Sequence, residues 1–570
     1  MDKRWFEQYQ KGVPHEIDSS QYASLVDLFK ESCTRYAKKI SYSNMGSSIT
    51  FSELDDLSRA FAAYLQQLKL NKGTRVAIML PNVLQYPVAL FGILRAGYVV
   101  VNTNPLYTTD ELVHQLNDAG AEVIVVLANF AKTVEKGLNS IPTLKHVIVT
   151  EIADLFPTPK RLLINSIIKY VKKMIPAYNI PHAVAFNYVL LEGKQAPLHH
   201  VELDHDDIAF LQYTGGTTGV AKGAILTHGN MVCNVLQADA WIRPVIGING
   251  DDIIITAIPL YHVFSLTANC LTFLKHGARN VLITNPRDMG HFIKEIKKVG
   301  FTAITGVNTL FNGLLNHPKF KEVDFSKLKI SLAGGMALQK SVALKWREVT
   351  KTPVLEAYGL TETSPAAIMN PMNKTEYSGS IGVPIPSTDV VILDDDEHEV
   401  PIGTSGEICI KGPQVTPGYW KRPDETALVF TKSGYLKTGD IGKMDEEGFI
   451  YLVDRKKDML LVSGFNVYPN EVEQVIAMHT GVLEVGVVGV FDKESGERVK
   501  ACIVKKDPNL TEEQVIAYCR EHLTAYKVPK IVEFYDELPK TNVGKILRRA
   551  LKDSHATSPS HPEKKPAVAI

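Results

Sequence analysis

Short apolar runs alternate with amphipathic helical patterns along most of this chain. That alternation restricts the fold more than any other feature. Residues 75–80 (RVAIML), 98–101 (YVVV), 122–127 (EVIVVL) and 146–150 read as buried strands. Helical patterns lie between them. Thr50-Phe51-Ser52-Glu53 is a capping box, followed by Leu54, Leu57, Phe61 and Leu65 at helical spacing. A helix runs through Phe91 and Leu94, and another covers 110–117 and stops near Gly120. Strands separated by helices form βαβ units: a largely parallel sheet with helices on both faces.

The alternation resumes in a second block. Strands are expected at 252–256, 280–283, 301–305, 328–332 and 354–357, with helices at 288–299 and 337–349. The blocks share a plan, so the fold class is α/β, with two similar subdomains. From residue 387 helices thin out, and 390–393, 406–410 and 449–453 read as strands of a β-rich subdomain. After Asp454 come strands at 459–462, 485–490 and 501–504 and helices at 469–479 and 511–523, a compact α+β unit. A chain of 570 residues exceeds one core. The expected division is a large N-terminal domain over 1–454, a small C-terminal domain over 455–553 and a disordered tail over 554–570.

The 62 basic and 62 acidic residues cancel to a formal net charge of +0, so no global field favours nucleic acid. Six cysteines stand without CxxC spacing, which suggests neither zinc nor a disulfide framework and points to a reducing, cytoplasmic setting. The opening residues MDKRWFE lack an apolar h-region, so no signal peptide is expected. Residues 86–101 are apolar but broken by Pro87 and Arg95, which suits a buried helix and strand better than a spanning helix. Residues 160–174 place Ile164, Ile167, Ile168, Val171 and Met174 on one helical face, continued by Ile175, with Lys169, Lys172 and Lys173 opposite. Such a helix lies either on an anionic membrane surface or against a core with solvated lysines.

One loop concentrates anion-binding chemistry: Tyr213, Thr214, Gly215, Gly216, Thr217, Thr218, Gly219, Val220, Ala221, Lys222 and Gly223, leading into Ala224. Glycines let backbone N–H groups approach an anion, and hydroxyls and an ammonium add donors. The loop is not GxxxxGK[ST], because Gly223 follows Lys222. Alone it reads as a phosphate cradle or as a Gly/Thr-rich surface turn. Further polar clusters follow predicted strands, where ligands collect on α/β sheets. They are Tyr261-His262, Gly334-Gly335 and Tyr358-Gly359-Leu360-Thr361-Glu362-Thr363. An aromatic ring, a glycine pair, and a hydroxyl with a carboxylate suit a nucleobase and a hydrated Mg²⁺. Singly, His262 reads equally as a core histidine and Glu362 as a helix-cap neighbour.

Together with Tyr435-Leu436-Lys437-Thr438-Gly439-Asp440, Asp454-Arg455-Lys456-Lys457-Asp458 and the stretch from Leu538 to Ile546 (LPKTNVGKI), these motifs resemble the adenylate-forming (ANL) superfamily. That superfamily comprises acyl-CoA synthetases, luciferases and peptide-synthetase adenylation domains. Residues 304–311 (ITGVNTLF) and 460–469 (LLVSGFNVYP) are similar to bacterial long-chain fatty acid–CoA ligases in particular. The resemblance implies acyl-AMP formation from a long-chain fatty acid and ATP, then transfer to CoA, with Mg²⁺ as cofactor. A fatty acyl-AMP ligase that loads a carrier protein is the alternative. It further implies that the loop cradles the β- and γ-phosphates, and that Thr361 and Glu362 sit by the α-phosphate. Glu362 and Thr218 would serve the metal, and Lys545 would hold the reacting oxygens. Tyr358, with the backbone of Gly359, Gly334 and Gly335, would take adenine, and Asp440 with Arg455 the ribose. Tyr261, His262, Leu266, Gly306, Val307 and Leu310 would line the acyl tunnel, Lys457 would act as a hinge, and Gly464 would line the CoA passage. Expected surroundings are fatty acid metabolism at the entry to β-oxidation, weak attachment to the cytoplasmic face of the inner membrane, and a second copy of the chain.

Overall fold

The computed structural model describes residues 3–214, 221–492 and 495–553. Among these residues the strands gather into four sheets, two large and two small. The first large sheet has seven strands in the order Val184–Ala185, His146–Thr150, Ala121–Leu127, Arg75–Met79, Val99–Asn102, Ile208–Thr214 and Lys222–Thr227. Its neighbours are parallel except the last pair, which is antiparallel. The central strands are buried on both sides, which is why they read as continuous apolar runs. The helix Phe51–Gln67 starts on the expected capping box of Thr50 and Glu53, and the helix Thr109–Ala119 ends on Gly120 at φ 66°.

The second large sheet has nine strands. Its parallel centre runs from Val354–Gly359 through Ile330–Gly334, Ala303–Gly306, Ile253–Thr256 and Arg279–Leu282 to Ile40–Asn44. Antiparallel strands extend it at both ends. The strand Ile40–Asn44 comes from the first block, so the two blocks interlock rather than follow one another. Its sequence, ISYSN, lacks an apolar run because its serines are buried against neighbouring strands. The helix His228–Ile242 also escapes a periodicity search. Buried nearly all round, it has no polar face to find. Its Asn234 and Gln237 bond to Ala366 O and Pro386 O instead of water.

The β-rich part is an antiparallel meander in chain order: Asp389–Leu393, Gly406–Lys411, Leu436–Met444 and Ile450–Arg455. The fourth sheet belongs to the small C-terminal domain. It joins Phe465–Val467, Leu460–Val462, Gly496–Lys505, Val482–Asp492 and Ile531–Tyr535. This domain has a core of its own around Leu460, Val472, Ile476, Val485, Ile503 and Cys519. All six cysteines are free thiols and buried.

Residues 160–175 depart from the expected single apolar face. A helix, Thr158–Ser166, passes into a π turn, Ile167–Val171, where Lys172 N bonds to Ile167 O. The wider turn shifts the periodicity. Ile168 is buried, and Ile164, Met174 and Ile175 pack on the core, but Val171 points outward. Leu162, Leu163, Tyr170 and Val171 are exposed by 59%, 61%, 68% and 75%, beside the exposed lysines 169, 172 and 173. Among the described residues no helix is long and apolar enough to cross a membrane.

Candidate active site

A cavity of about 1380 Å³ opens where the carboxyl ends of the large-sheet strands meet the meander and the small domain. The glycine loop joins the antiparallel pair Ile208–Thr214 and Lys222–Thr227, in which Thr214 stands opposite Lys222 and Tyr213 opposite Gly223. Gly215, Gly216, Thr217, Thr218, Gly219 and Val220 lie outside the described residues. The flanks are firmly held. Tyr213 Oη donates to Asp118 (2.6 Å), which Arg422 also binds (2.6 Å). A His114 ring nitrogen meets Ala221 O at 3.2 Å, and Trp420 N donates to Gly223 O. Lys222 pairs with Glu425 and lies 5.5 Å from the Tyr419 ring. Tyr213, Thr214 and Lys222 line the cavity, whereas Ala224 is buried in the return strand.

Sheet register places the next group. Asp440 and Arg455 are direct partners across two antiparallel strands, with Arg455 Nε 3.4 Å from Asp440 Oδ1. Tyr358 Oη donates to Asp440 Oδ2 at 2.7 Å, so one carboxylate joins the aromatic and the guanidinium. Burial raises the Asp440 pKa above the usual carboxylate range, opposed by the Arg455 charge and the Tyr358 hydrogen bond. Gly334 is paired with Ala357 beside Tyr358. Gly359 is obligatory, because a Cβ there would sit 1.7 Å from Pro365 O. Thr361 and Glu362 follow on a short 3₁₀ turn, and Glu362 Oε1 accepts from Tyr419 Oη at 2.7 Å.

The small domain supplies Lys545. Its side chain enters the cavity beside Gly335, whose φ of +80° and missing Cβ leave room for the lysine Cε. The loop is tied by Thr541 N to Lys545 O (2.7 Å) and Lys545 N to Thr541 Oγ1 (3.0 Å). The loop docks through Thr309 Oγ1 to Gly544 O (2.8 Å), and the rest of the small domain through Asn312 to Leu483 O (2.8 Å) and Gln474 to Leu338 O (3.1 Å). Burial lowers the Lys545 pKa to about 8, the Arg455 charge adds to this and Asp440 opposes it. Burial, then Lys545, lowers His262 to about 3, so this imidazole is neutral near pH 7. Its Nδ1 accepts from Phe264 N (3.4 Å), which leaves the proton on Nε2.

One part of the lining is apolar: Ile242, Phe264, Ala268, Phe273, Ala303, Ile330 and Leu332. Tyr261 and His262 stand on the wall as expected. Leu266, Gly306, Val307 and Leu310 do not. In the strand Ala303–Gly306, side chains alternate: Ala303 and Thr305 face the cavity, and Gly306 faces Phe311 behind the sheet. Leu310 and Val307 pack in the core behind that sheet. Leu266 opens a π segment, Leu266–Thr272, that turns it into the first core and presents Thr267 and Ala268 instead. Lys457 lines the cavity from the turn after Arg455, and Gly464 lies exposed, away from it. Sequence reading missed Tyr419, Glu356 and Arg548. Glu356 is a buried carboxyl on the cavity wall, raised by burial to about 8. Its alternation with Tyr358 along one strand was the available signal.

This arrangement sets a carboxylate that accepts hydrogen bonds, a flat ring, the flanks of the glycine-rich loop and the Lys545 ammonium around a common space, with an apolar stretch of wall. The description AMP-binding enzyme matches residues 29–420, and AMP-binding enzyme C-terminal domain matches 471–545. The chain belongs to the AMP-binding enzyme family, the adenylate-forming class. Within it, the chain is 55% identical to a long-chain-fatty-acid–CoA ligase of Escherichia coli O6:H1, over 97% of this chain and 98% of that one. It is 53% identical to the Haemophilus influenzae protein of the same name, over 98% and 100%. A crystal structure of an anthranilate CoA ligase with anthranoyl-AMP superimposes with a TM-score of 0.84 at 25% identity, covering 95% of this chain and 99% of that one.

Proposed function

We propose that this cavity activates long-chain fatty acids in two half-reactions. A fatty-acid carboxylate oxygen attacks the α-phosphorus of ATP, and pyrophosphate leaves. The CoA thiol, losing its proton, then attacks the acyl carbon, and AMP leaves with the former carboxylate oxygen. The observation that carries this reading is the meeting of Lys545 with Tyr358, Glu362 and Asp440 in one cavity that also has an apolar stretch formed by Ile242, Phe264, Phe273, Ala303, Ile330 and Leu332.

Each role follows from chemistry. The transition state at phosphorus gathers negative charge, so fixed donors and a cation lower its energy. Lys545 supplies the cation at the reacting oxygens, and the loop 213–223 takes the outer phosphates. Asp440 accepts from ribose hydroxyls while keeping Tyr358, because a carboxylate has about four acceptor sites. Neutral His262 borders the acyl carboxylate and offers Nε2–H without competing with Lys545 for its charge.

Glu362 commits Oε1 to Tyr419 and keeps Oε2 for a cation. Among the described residues no cluster of three His, Cys, Asp or Glu exists that could cage a metal. The second Glu362 oxygen suits Mg²⁺ held mainly by phosphates, with Thr218, which lies outside the described residues, as a further ligand by its motif. When bound, the ion neutralises phosphate charge.

Lys545 fills the space that the thiol needs. Arg455 ends a strand of the meander, and the residues beyond Lys457, rather than all of 455–553, therefore turn about Lys457 as the small domain between steps. Gly464 then comes to the pantetheine passage. The exposed Leu162, Leu163, Tyr170 and Val171 beside three lysines support docking on an anionic membrane, from which long acyl chains arrive. Neutralising Lys169, Lys172 and Lys173 should weaken binding to anionic vesicles, and unchanged partitioning would remove this role. The product thioester suits β-oxidation.

The decisive assay supplies ATP, Mg²⁺ and palmitate. AMP release should require CoA and yield palmitoyl-CoA. Release that requires a carrier protein and ignores CoA would make the chain an acyl-AMP ligase.

A further inference from the structure

Arg548 follows Lys545 by one helical turn's length of chain and has no place in the chemistry above. Its side chain is 19% exposed. Nη1 lies 3.2 Å from Asp454 Oδ1 and 3.2 Å from Asp458 Oδ2. Nη2 binds Glu473 Oε2 at 2.9 Å and also Asn470 Oδ1, and Nε binds Glu473 Oε1 at 3.1 Å. Of these partners, Asp454 alone precedes the turn at Lys457.

Asp454 is fully buried, next to Arg455 on the strand that faces Asp440. Its Oδ2 accepts from Asn470 N (2.8 Å), in the first turn of the helix Pro469–Ile476. Its Oδ1 accepts from Arg455 N (2.7 Å). One carboxylate thus clasps the small domain at two points while holding the backbone of a ribose-site residue. The other docking contacts named above are neutral hydrogen bonds. A turn at Lys457 carries Asn470, Glu473, Asp458 and Arg548 away from Asp454 as a group.

We propose that Arg548 is a positioning residue for the first half-reaction: through Asp454 it holds the Lys545 loop in the cavity and releases it when the small domain turns. The inference rests on the two-step reading above. Removing one partner of a buried ion pair leaves the other uncompensated, so the clasped pose is the one that suffers.

The test compares half-reactions in the full-length enzyme, with acyl-AMP formation measured by pyrophosphate release and thioester formation measured from supplied palmitoyl-AMP and CoA. R548A and D454N should each lower acyl-AMP formation by about ten- to a hundredfold. Thioester formation should stay within about twofold of wild type, which also reports that the variant is folded. E473Q, which loosens the same arginine inside the small domain, should leave the ratio of the two rates unchanged. Equal loss of both half-reactions in D454N, no loss in either variant, or a ratio shift in E473Q as large as in D454N would overturn the inference. Those results would leave the reading of the cavity intact, provided wild type still forms pyrophosphate. A wild type that forms none would remove that reading instead.

Discussion

The two sides of the cavity are built differently. On the large-domain side, sheet register sets the chemistry: Asp440 opposite Arg455, Gly334 opposite Ala357, Thr214 opposite Lys222. Moving any of these side chains means breaking a ladder of backbone hydrogen bonds. On the small-domain side, Lys545 rides on a loop tied to itself through Thr541 and to the large domain through Thr309, in a domain held by a few more side chains such as Asn312. On the proposed reading, nucleotide recognition is fixed in advance, and the cation that favours attack is brought in and taken away. A rigid scaffold suits groups needed in both steps, and a hinged one suits a group needed in one.

Breaking this contrast at its sharpest point gives the largest effect. K545A should lower acyl-AMP formation by about a hundredfold or more and spare thioester formation from supplied acyl-AMP, because one preorganised charge at the transition state is lost. Equal loss of both steps would mean that the lysine belongs to the rigid side after all.

A smaller effect sharpens the description of the fixed wall. A303F places a ring where the strand faces the cavity, and kcat/KM for palmitate relative to a shorter acid should fall by about tenfold. L310A, behind the sheet, should leave that ratio unchanged. The opposite result would restore Leu310 to the tunnel.

The smallest effect is a pH dependence. The free-enzyme pKa of Lys545 lies at about 8, below the ordinary lysine value, so its charge is present below that pH and lost above it. The kcat/KM of acyl-AMP formation should be about halved at pH 8 relative to its neutral plateau and keep falling as pH rises. Neutral His262 predicts no break near pH 6 to 7 from its own ionisation. A profile flat to pH 9.5 would contradict the burial of Lys545 in the cavity.

Much of this was legible in the chain itself. Buried parallel strands such as Ala121–Leu127 declare themselves as apolar runs, and the helix Phe51–Gln67 by its capping box. Tyr358, Glu362, Asp440, Arg455 and Lys545 were legible because motifs keep their chemistry in short contiguous stretches. Other features depend on three-dimensional partners that no local pattern encodes. Ile40–Asn44 is a strand because a distant sheet accepts it, and His228–Ile242 is a helix without a polar face because it is buried on nearly every side. The apolar wall was misassigned at Leu266, Gly306, Val307 and Leu310, because strand alternation and a π segment decide which side chains face inward. Arg548 carries no motif signal: its role depends on Asp454, far back in the chain.

The most direct measurement follows an oxygen atom. Palmitate labelled with ¹⁸O in its carboxylate is converted with ATP, Mg²⁺ and CoA, and the products are analysed by mass. If the carboxylate attacks the α-phosphorus, one labelled oxygen leaves in AMP and the pyrophosphate is unlabelled. Label in inorganic phosphate, or AMP without it, would contradict activation through an acyl adenylate.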